Sequence, residues 1–123
     1  MAAITVSHAT SSNLHKYYGT GTANQTDTLT STVVAAHRVH RLVAVSVVYS
    51  AAPTQTGVTI AVDSGTATAH DVTLHTGTAN TRYTYFIPDE DILLLEGDAV
   101  LVTAPAAGGV ITAAVMIVTE EVR

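Results

Sequence analysis

The sequence predicts an all-β protein, an antiparallel two-sheet sandwich in a single domain spanning residues 1–123. Three observations carry this. Apolar residues make up 47% of the chain and charged residues only 12%, and the polar surface is supplied instead by Thr, a β-branched residue that suits the solvent face of a strand and suits a helix poorly. The apolar residues fall into short runs of strand length separated by Gly, Pro, Asn and Asp. Nowhere does a helical period persist for three turns.

Taken in order, the first strand is predicted at residues 3–8, followed by a polar stretch, SSNLHKYYGTGTANQ, that reads as a long loop or extended arm over residues 7–26. Alternation in TDTLTSTVV places a strand at 26–35. A longer one follows at 39–50, with Val43, Val45, Val47 and Tyr49 on one face and Leu42, Ala44, Ser46 and Val48 on the other, so it should be central. Pro53 and Gly57 mark a loop at 51–57. Residues 58–62 alternate cleanly and turn at Asp63, Ser64 and Gly65. Strands at 67–75 and 81–87 flank the turn Thr76-Gly77-Thr78-Ala79-Asn80, and Pro88 ends the second. The remaining strands are predicted at 92–95, Ala99–Ala104 and 110–119, the first two joined by Glu96-Gly97-Asp98. About eight antiparallel strands in this length fit a jelly roll. TGTAN occurs at both 20–24 and 76–80, but the flanking residues do not match, so it reads as turn chemistry rather than duplication.

From Ala99 to Thr119 the chain carries no charge over a length able to cross a bilayer. Pro105, Gly108 and Gly109 sit at its centre, where a spanning helix needs unbroken hydrogen bonds. The run therefore reads as two buried strands of a hairpin.

Net charge is −5 and the five basic residues are scattered, so no basic stripe is available to neutralise phosphates and no direct nucleic-acid partner is expected. There is no Cys, which excludes disulfides and thiolate metal sites. The N-terminal residues show neither a basic leader nor a long apolar stretch, so no secretory signal is expected, nor a membrane partner. The six His read as surface or edge residues at loop ends: His37 and His40 would fall on opposite faces of a strand, and only His70 has a carboxylate, Asp71, beside it. Asp89-Glu90-Asp91 lacks the Gly and Asn spacing of a calcium loop and reads as a solvated turn. No GxSxG elbow or acid–base constellation stands out. No metal, cofactor or catalytic residue is expected, and the protein is not expected to be an enzyme.

YFIPDEDILLLEGDAVLVTAP followed by GGVITAAVMIV resembles the closing strands of small viral jelly rolls. The whole chain, Thr-, Ala- and Val-rich, free of Cys and of catalytic motifs, resembles the capsid cement or decoration proteins of tailed bacteriophage heads. The resemblance implies a virion protein on the outer capsid surface, a homotrimer whose partner is the major capsid protein, bridging and stabilising capsid subunits without catalysis. Low surface charge suits such a role, because charges are depleted from interface cores. Candidate partner contacts are Lys16, Tyr17 and Tyr18 in the polar arm, and Arg38, His40 and Arg41 in the one dense cationic cluster, which would meet an acidic capsid surface or pair with acids of its own chain. The alternative is a carbohydrate- or receptor-binding β-sandwich of a phage fibre or tail. In it Tyr83 and Tyr85, on one strand face, would stack sugar rings.

Overall fold

The computed structural model describes residues 2–54 and 57–122; Gln55 and Thr56 of the predicted 51–57 loop lie outside them. Eleven strands occur among these residues: β1 (Ala2–Ala3), β2 (Ser7–Ser11), β3 (Leu14–Thr20), β4 (Asp27–Thr30), β5 (Val39–Tyr49), β6 (Thr59–Asp63), β7 (Val72–Thr76), β8 (Tyr83–Phe86), β9 (Leu93–Leu94), β10 (Ala99–Ala104) and β11 (Ala113–Val122). One sheet runs β1-β4-β10-β6-β7. The other runs β2-β3-β11-β5-β8, with β9 also pairing β5. All pairings but β1–β4 are antiparallel. The eight strands β3-β11-β5-β8 and β4-β10-β6-β7 form the two facing sheets of a jelly roll, as the composition and strand spacing predict.

Between the sheets lies a buried aliphatic layer. Val45, Val47 and Ile117 from the six-stranded sheet and Leu29, Ile60, Val100 and Val102 from the other are all fully buried. Each such side chain stabilises the fold by roughly 1.5–3 kcal/mol. Burial alternates along β10 and β11, as a strand with one face on the core requires.

The structure departs from the sequence reading in several places, each for a local reason. The segment expected as an arm forms the β2–β3 hairpin, turning at Ser12, whose φ is 54°. β4 stops at Thr30, well short of residue 35. The region 67–75 begins as a single 3-10 turn over Thr68–His70 before β7 starts. β5 lies next to the central β11 but carries a bulge. Thr119 pairs Leu42 while Val118 pairs Ala44, leaving Val43 extra. The bulge reverses the alternation, so His40 and Leu42 point inward with Val45, Val47 and Tyr49. The predicted grouping of Val43 with Val45 fails for this reason.

The connection at 105–109, read as a hairpin, and the turns at 76–80 and 96–98 are crossings between sheets. β7 and β8, β9 and β10, and β10 and β11 all lie in different sheets. The uncharged run is thus two strands facing each other across the core. None of the helices among the described residues is long and apolar enough to cross a membrane. At the 96–98 corner, Asp98 accepts hydrogen bonds from the amides of Leu95 and Gly65, both at 3.0 Å. Gly97 there has φ 87°, and a Cβ on Gly65 would meet the Gly97 carbonyl carbon at 2.5 Å, so both positions demand glycine.

Candidate functional site

The two faces of the six-stranded sheet differ sharply in what they present. On the outer face, strand register aligns Ser7, Tyr18, Met116, Ser46 and Tyr85 in one row across five strands. A second row holds Thr20, Ala114, Val48 and Tyr83. Tyr18 is 43% exposed, Tyr83 63% and Tyr85 68%. Beside Tyr18, the side chains of Thr20, Ser46, Val48, Ala114 and Met116 line a shallow groove of about 280 Å³. Tyr18 and Tyr85 stand three strand spacings apart, about 14 Å. The Arg82 guanidinium lies 5.1 Å from the Tyr83 ring centroid and donates to the carbonyls of Tyr49 at 3.1 Å and Ser50 at 3.0 Å. One face of Tyr83 is thereby covered, and Tyr85 is left as the open ring.

The inner face ends in a polar cluster. His8 from β2, His15 and Tyr17 from β3, His40 from β5 and Thr119 and Glu121 from β11 converge at one end of the sheet. His8 Nε2 and His15 Nδ1 share a hydrogen bond at 3.0 Å, as do His40 Nδ1 and Thr119 Oγ1. His8 stacks on Tyr17 with ring centroids 4.4 Å apart, and His15 meets His40 at a tilt of 41° with centroids 4.7 Å apart. Glu121 places Oε1 3.9 Å from His40 Nε2 and Oε2 3.4 Å from Arg38. Burial, reinforced by the nearby His15, holds the His40 imidazole below its ordinary value, so near neutral pH it is an uncharged ring with a lone pair. Burial raises the Tyr17 phenol, against the opposing pull of its hydrogen bond with Thr119. Among the described residues, the one group of three or more side chains placed to hold a metal ion is His15, His40 and Glu121.

The candidate contacts are divided by this geometry. Tyr17 is 3% exposed and His40 6%, so neither can meet a partner across the surface: both fall on the inward side of the alternation, Tyr17 opposite Ile117 and His40 opposite Glu121. Lys16 and Tyr18 lie on the exposed face. Arg38 pairs Glu121, and Arg41 pairs Glu120 at 3.2 Å and Asp91 at 3.9 Å, the intramolecular option for the cationic cluster. His37 sits in a turn with φ 61°. Tyr83 and Tyr85 share the outer face as expected. The inner cluster escaped the sequence reading because its members are far apart in the chain; the one available signal was His40 in step with the apolar Leu42.

A cleft of about 450 Å³ lies between β6–β7 and residues 91–98, with Val72, Leu93 and Leu95 exposed on its rim. Two of its acids are engaged elsewhere, Asp98 by two backbone amides and Asp91 by Arg41. Its lining joins an apolar rim to Ser64, Thr66, His70 and Glu96.

No protein-family model matches the chain, and no curated protein does. Among solved structures, a low affinity xylan binding module from the gut symbiont Roseburia intestinalis is similar at TM-score 0.40 and 14% identity, over 95% of this chain and 84% of that one. A likeness of that size carries no argument about function.

Proposed function

We propose that the protein is a non-catalytic binding module whose outer six-stranded face takes a neutral saccharide chain laid across the strands. The observation that carries this is the row Tyr18–Met116–Ser46–Tyr85, with an exposed ring at each end and Met116 and Ser46 between them. Exposed aromatic planes stack on the apolar faces of sugar rings, and hydroxyl-bearing Ser46 and Thr20 can bond the sugar hydroxyls. Tyr85 is the principal platform, Tyr18 the distal one, and Tyr83, held by Arg82, the flank. The test is titration of the chain with soluble neutral polysaccharides and their hexasaccharides, read by NMR shifts and calorimetry. Saturable binding with shifts at Tyr18, Ser46 and Tyr85 supports the reading. Binding with shifts elsewhere, or none across the panel, overturns it.

A second reading keeps the resemblance to phage decoration proteins, and the exposed apolar rim of the 450 Å³ cleft favours it. Val72, Leu93 and Leu95, exposed together on the rim of the cleft, suit a subunit contact, and a trimer would multiply weak capsid contacts. Native mass and co-sedimentation with phage heads stripped of accessory proteins test it. A trimer binding at fixed stoichiometry supports that reading; a monomer that ignores heads contradicts it.

A further inference from the structure

We propose that His15, His40 and Glu121 form a Zn²⁺ site that staples the β2–β3 hairpin to the centre of the sheet. The site lies on the opposite face of the sheet from the tyrosine rows and stands whether or not a saccharide binds there. One donor atom from each of the three residues lies within 4.8 Å of the others. Tetrahedral zinc with bonds of about 2.0–2.2 Å needs its donors roughly 3.3 Å apart. The remaining closure is within reach of side-chain rotation, because neither His15 nor Glu121 is fully buried.

The hydrogen bonds around the cluster are those a metal site requires. A histidine ligand is oriented by the partner of its other ring nitrogen. His40 engages Thr119 through Nδ1, and His15 engages His8 through Nδ1. With a proton on each Nδ1, both Nε2 atoms carry free lone pairs. Glu121 keeps Oε1 toward His40 while Oε2 faces Arg38, so the carboxylate can bind metal and stay anchored. Two imidazoles and one carboxylate suit zinc, and exclude calcium or magnesium, which prefer all-oxygen shells. Three protein donors leave a fourth position open to water, facing a cleft of about 190 Å³.

The chain supplies no cysteine, and the three ligands come from strands far apart in sequence, so a bound ion would tie the edge hairpin to β5 and β11. The test is titration of ZnCl2 into chelator-treated full-length protein, by calorimetry and by thermal denaturation. One equivalent should bind with a micromolar or tighter Kd and raise Tm. His15→Ala and Glu121→Gln should each weaken binding at least about tenfold and abolish the Tm rise, while His70→Ala, at an exposed site, should change neither. Glu121→Gln keeps the side-chain shape, so it decides the matter if His15→Ala fails to fold. Absence of saturable binding at one equivalent, retention of affinity in Glu121→Gln, or loss of it in His70→Ala would overturn the proposal. Tighter binding of Cu²⁺ than of Zn²⁺ is expected from ligand affinity order alone and agrees with it.

Discussion

Tyr17 and Tyr18 are neighbours in the chain and belong to different worlds in the fold. Tyr17 pairs Ile117 on the inner face, beneath the stacked ring of His8, with its hydroxyl at Thr119. Tyr18 pairs Met116 on the outer face and is exposed to solvent. The same contrast runs the width of the six-stranded sheet. Inside, the histidines hold one another in place with Tyr17, Thr119 and Glu121; outside, among the described residues, the one partner seen on the exposed tyrosine rings is Arg82 on Tyr83. A face whose groups are mutually satisfied stabilises the fold, and a face that leaves large rings unpartnered in solvent is available for binding. Mutations on the two faces should therefore separate cleanly into losses of stability and losses of affinity.

The sharpest break between the faces compares Ile117 with Met116, adjacent residues of β11. Ile117 is fully buried at the centre of the core, so Ile117→Ala should cost about 3–4 kcal/mol in denaturant unfolding. Met116→Ala should cost under about 1 kcal/mol, because its side chain remains partly solvated on the groove floor. Equal losses would mean that the outer face is also core.

A smaller effect is expected within the inner cluster. Thr119→Val keeps the shape but removes the oxygen shared with His40 Nδ1, leaving a buried ring nitrogen without its partner. The expected cost is about 1–3 kcal/mol, measured by chemical denaturation. A neutral result would show that the histidines do not depend on that bond.

The smallest effect concerns alkaline pH. Burial, with a further contribution from Asp27, pushes the Tyr49 phenol up to about 12, and its hydroxyl donates to the Pro105 carbonyl at 3.0 Å. The unfolded phenol ionises near 10. Because the folded value is raised, the stabilisation is fully present below pH 10 and is lost as pH rises from 10 toward 12, on the order of 1–2 kcal/mol by pH 11.5. Tyr49→Phe should flatten that part of the stability profile.

How much of this was legible in the sequence depends on how local each signal was. β10 is predicted at its observed bounds and β5 within one residue, because a β-branched alternation between turn residues is a local feature. The β2–β3 hairpin was hidden because SHATS and LHKYYGT alternate two polar classes rather than polar and apolar: the inward positions of this edge are His8, His15 and Tyr17. Turn chemistry at 76–80, 96–98 and 105–109 marks where the chain reverses but carries no information about which sheet receives the next strand. The histidine cluster needed the long-range register of β3, β11 and β5, together with the bulge at Val43 that brings His40 inward. The Tyr83–Tyr85 pair was readable from period two alone. Tyr18, its counterpart across the sheet, was not, since only the pairing order puts β3 and β8 on either side of β11 and β5.

The most direct test of the outer face as the binding face is a saccharide titration of the wild-type chain beside Tyr85→Ala and Tyr18→Ala, with Tm measured on the same samples. The two-face account predicts that each substitution weakens affinity, Tyr85→Ala by about tenfold or roughly 1–1.5 kcal/mol, while Tm stays within a few degrees of the wild type. Unchanged affinity in both variants, or affinity lost only together with the folded state, would contradict it.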